Sequence, residues 1–210
     1  LARSDPRLSP YRAAEATPLV QGDAPLDAPI IVVGLGPAGL FCAHTLAQYG
    51  YRPIVVERGE PVEQRVQTVE RYFSTGALHN ESNVMFGEGG AGTFSDGKLT
   101  SRSKDARQEQ VLNALVRFGA PADILIDAKP HIGTDRLRNV VGSMRQSIES
   151  LGGTVRFGCS LAGIESADGR VTAVRVDQNG AQERIPCAAV VLAIGQGARD
   201  TYQMLFDAGV

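Results

Sequence analysis

The chain has 210 residues, of which 43% are hydrophobic and 21% charged, enough for one domain with a buried core and at most a small lobe. Its net charge of −2 argues against a general affinity for nucleic acid. The longest apolar run, residues 187–194, is too short to span a bilayer, and the N-terminus lacks the apolar core of a signal peptide. We therefore expect a soluble cytoplasmic protein without a nucleic-acid partner or a membrane span.

Residues 1–29 are rich in proline and show no apolar period, which is typical of an extended linker or arm. The sequence begins at Leu1 instead of a methionine, and it ends at Val210 soon after a strand and a helix begin to form. These features predict a piece of a longer protein, with its folded domain at residues 30–210.

A strand and a tight glycine turn are predicted at the start of this domain. Residues 30–33 form a short β-branched run that leads into Gly34, Gly36 and Gly39, the G-x-G-x-x-G spacing that opens a helix. The first glycine permits the sharp turn, the second lets a pyrophosphate approach the backbone, and the third lets the helix pack on the sheet. The anion is then held by unpaired helix N–H groups.

The residues after this turn strengthen the prediction of a dinucleotide site. An apolar period over residues 37–47 predicts a helix that stops at Gly50, and residues 53–56 predict a second strand. That strand ends at Glu57, close to the ~20-residue spacing of an acid that binds ribose hydroxyls. An ordinary pair of parallel strands with a glycine turn is the alternative, but strand, helix, second strand and acid in register favour a dinucleotide.

Residues 61–73 predict a helix, and residues 80–104 follow as a glycine-rich run with too few apolar positions for a regular element. Successive N–H groups in such a run can form an anion-binding nest or let the backbone lie flat against a ligand ring. A flexible loop or a glycine-bearing hairpin is an equal alternative. Lys98 adds a positive charge to this run.

Two further helices are predicted at residues 104–118 and 134–151, with Thr134 or Asp135 as the cap of the second. The loop between them carries Lys129 and His131, two groups able to exchange or steer protons. Residues 155–160 then predict a strand that returns to the sheet.

Short alternating runs at residues 161–164, 170–176 and 184–186 are separated by Asp168-Gly169 and Asn179-Gly180, which are strong turn signals. They predict an antiparallel meander that covers one face of the parallel sheet. Residues 188–194 predict a last buried strand. The predicted divisions of the domain are a first βαβ unit at 30–76, a glycine-rich loop and helical insertion at 77–133, a helix and returning strand at 134–160, a β-meander at 161–187, and a last strand and helix at 188–210.

The cysteines and histidines give no metal or dithiol pattern. Cys42, Cys159 and Cys187 are widely separated in apolar elements, so burial as small hydrophobic residues is expected. The histidines are too scattered in the sequence to suggest a metal site.

Residues 33–57, with Glu57-Arg58-Gly59 at their end, are similar to the adenosine-binding segment of glutathione reductase-type flavoproteins. The stretches ESNVMFGEGGAGTFSDGKLT, KPHIGTD and VVLAIGQGARDTY resemble a narrower group, the uncharacterised FAD-dependent dehydrogenases or oxidoreductases of bacteria. The resemblance covers residues 30–210. It implies an α/β fold, a Rossmann-like FAD/NAD(P)-binding domain with a parallel sheet, a helical insertion and a small antiparallel β-meander. It also implies that the domain is incomplete at the C-terminus, where such proteins carry a Gly-Asp pair.

The same resemblance implies a set of cofactor contacts in this chain. The FAD pyrophosphate would lie on Gly34, Gly36, Pro37, Ala38 and Gly39, and the adenosine ribose on Glu57. Arg58 would lie against the adenine, Arg65 near the phosphates, and the backbone of Leu161 at the adenine edge. The path toward the flavin ring would be lined by Gly89, Gly90 and Ala91, and the strand end from Ala193 to Gly195 would pack near the dinucleotide.

These features predict the N-terminal FAD-binding portion of an FAD-dependent oxidoreductase, with NAD(P)H as a possible electron donor and this piece alone inactive. Lys98 and His131 are the candidates for polarising or protonating a substrate. An NAD-dependent dehydrogenase and a non-catalytic dinucleotide-binding module are the alternatives. The sequence indicates neither the substrate nor the oligomeric state.

Overall fold

The computed structural model describes residues 19–23, 25–95, 97–99, 105, 107–127 and 129–210. The helices are α1 (Pro37–Gln48), α2 (Val62–Thr75), α3 (Arg107–Arg117), α4 (Thr134–Ser150) and α5 (Arg199–Asp207). The strands are β1 (Ile30–Val33), β2 (Ile54–Val56), β3 (Thr154–Arg156), β4 (Cys159–Ala167), β5 (Arg170–Gln178), β6 (Ala181–Pro186) and β7 (Ala189–Leu192). Two 3-10 turns span Ala91–Phe94 and Ala122–Leu125.

The four strands of the first sheet run parallel in the order β3-β2-β1-β7. Side chains alternate between its two faces, so Val32 and Val55 pack on one side while Ile31, Val33 and Val56 pack on the other. All five are buried, which fits strands covered on both faces. The predicted parallel sheet is confirmed.

Helices cover the first face of this sheet. The periods predicted for α1 and α4 place their apolar stripes in one core with Val32 and Val55. The largest contributions come from Leu40, Ala43, Ala47, Val140, Met144 and Ile148. The two helices therefore hold β1 and β2 from behind and leave the carboxyl ends of these strands open for a site.

The antiparallel sheet β4-β5-β6 covers the second face. Its turns lie at Asp168-Gly169 and Asn179-Gly180, where all four residues have positive φ, the conformation that two-residue hairpins favour. Leu161, Val174 and Val176 of this sheet pack against the parallel strands. The predicted meander and its place over one face are confirmed.

Two boundaries differ from the sequence prediction, and a third lies partly outside the described residues. The strand expected at 155–160 is broken at Gly158, whose φ of +58° turns the chain from the parallel sheet at β3 into the antiparallel sheet at β4. The cap of α4 is Gly133, without a side-chain hydrogen bond, so Thr134 is the first helical residue instead of the cap. Of the helix predicted at 104–118, the structure describes α3 over Arg107–Arg117, and Lys104 lies outside the described residues.

The predicted linker at 1–29 lies largely outside the described residues, and its described part before β1 forms neither helix nor strand. Cys159 and Cys187 are buried as expected, whereas Cys42 is half-buried. Within the described ranges, no helix combines the length and apolarity needed to cross a membrane. Nor does that part of the chain bring together three His, Cys, Asp or Glu residues in an arrangement for a metal ion.

Candidate dinucleotide-binding site

A groove of about 420 Å³ opens at the carboxyl ends of β1, β2 and β7. One wall is the glycine turn after β1, the opposite wall is the loop around Gly90, and the floor continues along the residues that follow β7. Strand β1 lies between β2 and β7. The chain passes from β1 through α1 to β2 on one side, and β7, which follows β6 in the sequence, pairs with β1 on the other side. This is the topological switch point at which open α/β sheets bind their ligands.

The structure gives different physical reasons for glycine at the three positions of the turn. A Cβ on Gly34 would lie 2.5 Å from the carbonyl oxygen of Ala193, and a Cβ on Gly39 would lie 1.9 Å from that of Gly34. These two glycines are required by the close approach of backbone to backbone. Gly36 is different, since its φ is −70° and the nearest atom to an added Cβ is Cα of Gly90 at 4.0 Å. The fold itself therefore leaves room for a side chain at Gly36.

The carboxylate of Glu57 is fixed at the glycine turn. The residue is 5% exposed, its Oε2 accepts the Leu35 N–H at 2.6 Å, and its Oε1 accepts the Gly59 N–H at 2.8 Å. Because both oxygens are held by backbone, the carboxylate has one orientation at the end of β2. It bounds the groove there together with Gly34.

A smaller cavity of about 40 Å³ adjoins the groove at Gly34 and Glu57. It lies between the ends of β1 and β2, the first residues of β4 and the start of α5, and its lining includes Arg58 and Leu161. Leu161 thus lines the same cavity as the glycine turn. The meander contributes to this site in addition to covering the core.

Arg58 joins the end of β2 to the start of α5. Its two Nη atoms donate to both carboxylate oxygens of Asp200, at 3.0 and 2.6 Å, and its Nε donates to Glu81 at 2.6 Å. The guanidinium also lies 4.9 Å from the centre of the Phe86 ring. The hydrogen bond from Arg58 lowers the pKa of Asp200 and keeps the pair charged at neutral pH.

Arg65 lies behind the loop that forms one wall of the groove. Its side chain is 0% exposed, and its N–H groups donate to carbonyl oxygens of the loop 83–90. It lines neither cavity. Burial lowers the pKa of Arg65 to about 10, while the charges of Glu57 and Glu88 act in the opposite direction. The loop carbonyls supply the acceptors that a desolvated guanidinium needs. The expected place of Arg65 near the phosphates stays a prediction.

Glu88 ties the same loop to two helices. It is 0% exposed, accepts the Val62 N–H at the start of α2 at 2.7 Å, and accepts Nε of Arg145 on α4 at 2.8 Å. Burial raises the pKa of Glu88 above its ordinary value, and the two donors oppose that shift. The loop is thus fixed by charged groups on both of its sides.

Lys98 and His131 lie opposite each other in an isolated antiparallel bridge. The bridge is closed by the Leu99 N–H to the Pro130 carbonyl at 2.9 Å and by the Ile132 N–H to the Gly97 carbonyl at 3.0 Å. Residues opposite each other in such a bridge share one face. Both side chains are exposed and neither lines the groove, so their catalytic role stays a prediction.

Residues 28–202 of the chain match the family model described as pyridine nucleotide-disulphide oxidoreductase. The chain belongs to this family. A curated relative from Clostridium beijerinckii, named as an uncharacterized protein, is 50% identical over 196 residues, which are 93% of this chain and 36% of the relative. The chain thus spans about a third of that relative's length.

Solved structures of related fold agree with this family. THI4 from Thermovibrio ammonificans has a TM-score of 0.57 at 18% identity, covering 87% of this chain and 63% of that one. The flavin-dependent monooxygenase PieE, solved with FAD and substrate, has a TM-score of 0.50 at 18% identity, covering 84% of this chain and 31% of that one. These likenesses confirm the Rossmann-like α/β fold, and the family confirms the resemblance drawn from the sequence.

Most residues predicted as cofactor contacts lie together. Those that line the groove are Gly34, Gly36, Pro37, Ala38, Glu57, Gly90, Ala91, Ala193 and Gly195. Arg58 and Leu161 line the adjoining cavity, whereas Gly39, Gly89 and Arg65 lie behind the walls. Sequence reasoning missed Glu88 and Asp200. The position of Glu88 between glycines was a usable signal, because a charged residue in a stretch without a helix or strand period needs a specific partner.

Proposed function

We propose that this chain is the N-terminal FAD-binding portion of an FAD-dependent oxidoreductase. The observation that carries the proposal is the open space at Gly36, a glycine that neither backbone conformation nor packing requires. A side chain there would fill the groove between the turn and Gly90. Space kept free at the start of a helix suits a pyrophosphate on the unpaired N–H groups.

The remaining residues of the groove fit the same cofactor. The fixed carboxylate of Glu57 suits the two hydroxyls of an adenosine ribose, since it offers acceptors to both. The backbone at Gly90 and Ala91 leaves one wall without bulky side chains, while Phe86 and Met85 make its rim apolar. These residues bind and orient the cofactor and keep water from it.

When bound, FAD would accept a hydride or electrons from a substrate. The protein contributes position and electrostatics to that chemistry. Lys98 and His131 remain the proposed groups for polarising or protonating the substrate. NAD(P)H is the proposed electron donor, and the substrate class stays open because nothing in the groove selects one.

NAD would fit the glycine turn and Glu57 equally well, so colour provides the first test. We expect the purified full-length protein to carry a yellow chromophore with flavin absorption bands. Tight retention of NAD without colour would overturn the proposal in favour of an NAD-dependent dehydrogenase. A chromophore that is bleached by a chemical reductant but by no metabolite would overturn catalysis in favour of a binding module.

Gly36→Ala in the full-length protein tests the site itself. We expect FAD to bind at least about tenfold more weakly, which is about 1.4 kcal/mol, in a fluorescence titration of the flavin-free protein. The free energy of unfolding should fall by no more than about 1 kcal/mol, because the fold has room for the methyl group and Ala is only a weaker N-cap.

Gly142→Ala is the matched control. It lies on α4 outside the groove, and the nearest atom to its added Cβ is 3.6 Å away. The control should bind FAD with unchanged affinity. Equal FAD affinity in the Gly36 and Gly142 variants would show that the turn does not contact the cofactor.

A further inference from the structure

The guanidinium of Arg65 is the centre of the loop that forms one wall of the groove. It is fully buried, and its three nitrogens donate to backbone carbonyls from five residues. The acceptors are the carbonyl oxygens of Asn83 at 2.9 Å, Val84 at 3.0 Å, Gly87 at 3.4 Å, Glu88 at 2.6 Å and Gly90 at 2.8 Å. The carbonyls of Gly87 and Gly90 also accept the N–H groups of Gly90 at 3.0 Å and Thr93 at 3.3 Å. Among the described residues, no other backbone N–H donates to the carbonyls of Asn83, Val84 and Glu88.

The loop is shaped around this side chain. Gly87 has a φ of +113°, and a Cβ on it would lie 2.5 Å from Cδ of Arg65. On the other side, the guanidinium lies 4.6 Å from the centre of the Phe94 ring. Backbone, aromatic ring and guanidinium are thus packed together at this loop.

The position of this loop decides the width of the groove. An added Cβ on Gly90 would lie 3.1 Å from Cδ of Pro37, so the loop closely approaches the first residue of α1. If the guanidinium were lost, the carbonyls of Asn83, Val84 and Glu88 would lose their donor, and a buried unpaired group costs about 1–3 kcal/mol. The loop would then move toward water, and the wall facing Gly36 would move with it.

We propose that Arg65 is a positioning residue that holds the loop 83–90 as the wall of the cofactor groove without contacting the cofactor. The inference rests on the proposed FAD site. A planar guanidinium can serve several carbonyls in fixed directions, whereas the ammonium group of lysine is a compact point charge with three donors. Arg65→Lys should therefore keep the charge and lose the order of the loop.

The test compares Arg65→Lys with Val69→Ala in the full-length protein. Val69 is a buried apolar residue of the same helix, and its truncation lowers stability without removing a donor from the loop. Hydrogen exchange of the loop amides is measured in the flavin-free protein, and FAD affinity is measured by titration well below both unfolding temperatures. Several loop amides are hydrogen-bonded, which makes their exchange informative.

In Arg65→Lys we expect the loop amides to exchange faster than in the unmodified protein, with a larger increase in rate than for the amides of the sheet core. We also expect FAD to bind at least about tenfold more weakly. In Val69→Ala we expect FAD affinity within about twofold of the unmodified protein. Equal FAD affinity in the two variants, or unchanged loop exchange in Arg65→Lys, would overturn the inference.

Two further outcomes separate this inference from the FAD proposal. Faster loop exchange in Arg65→Lys, in a full-length protein that never binds FAD, would support the loop role and overturn the proposed cofactor. If Arg65→Lys does not fold, the unmodified protein decides. Loop amides that exchange as fast as an unfolded chain without FAD would overturn the inference, and protected amides would support it.

Discussion

The groove has two glycine-bearing walls, the turn at 34–39 and the loop at 87–92. In the turn, Gly39 is required because its Cβ would meet the carbonyl oxygen of Gly34, five positions earlier in the sequence. In the loop, Gly87 is required because its Cβ would meet the side chain of Arg65, which belongs to another element. Gly39 is thus required by its own turn, whereas Gly87 is required by a side chain from another element.

Gly39→Ala should give the largest effect, because the methyl group would overlap backbone that the sheet holds in place. An added Cβ lies 1.9 Å from the Gly34 oxygen, so the helix must move away from β1. We expect the free energy of unfolding to fall by at least about 3 kcal/mol, measured by urea denaturation.

The control for Gly39→Ala is Gly142→Ala, another glycine inside a helix. Its Cβ meets only ordinary contacts, so alanine should stabilise α4 by about 0.5–1 kcal/mol through helix propensity. Similar stabilities for the two variants would show that the contact with the Gly34 oxygen does not require glycine at position 39.

The turn was predicted in detail because the information lies in adjacent residues. Gly34, Gly36 and Gly39 belong to one spacing, and the strand before them ends where that spacing begins. The meander was predicted for the same reason, since Asp168-Gly169 and Asn179-Gly180 form their turns from their own backbone preferences.

The sequence does not decide between an anion-binding nest and a flexible loop or hairpin at this loop, because the conformation depends on partners elsewhere in the sequence. Arg65 lies in α2, and Arg145, which pairs with Glu88, lies in α4. Neither of these arginines belongs to the loop, so the residues of the loop alone do not indicate its conformation. The break at Gly158 was missed similarly, because the residues on both sides favour strands and only the parallel or antiparallel pairing distinguishes them.

A double-mutant cycle between Gly87 and Arg65 tests whether the side chain of Arg65 requires glycine at position 87. Gly87→Ala alone adds a methyl group 2.5 Å from Cδ of Arg65. In an Arg65→Ala background that overlap disappears, while the strain of positive φ and a 3.3 Å contact with the carbonyl oxygen of Glu60 remain. We expect the two substitutions to be non-additive by about 1–2 kcal/mol in the free energy of unfolding.

Arg71→Ala provides the matched background for this cycle. Arg71 lies on the same helix but is exposed to solvent. Gly87→Ala combined with Arg71→Ala should be additive within about 0.5 kcal/mol. Equal coupling in both backgrounds would mean that Arg65 does not impose glycine at position 87.

Gly92→Ala should give the smallest effect. It tests whether the requirement for glycine continues past the loop 83–90 into the 3-10 turn that follows it. Gly92 lies in the 3-10 turn, its φ is not positive, and no atom lies within 4 Å of an added Cβ. Alanine should raise the free energy of unfolding by about 0.5 kcal/mol, because it restricts the unfolded chain. Gly76→Ala meets no neighbour either, but its φ is +74°, so left-handed strain should cost about 1–2 kcal/mol. If both substitutions destabilised the protein equally in urea denaturation, the loop would require glycine at Gly92 for a reason other than conformation or contact.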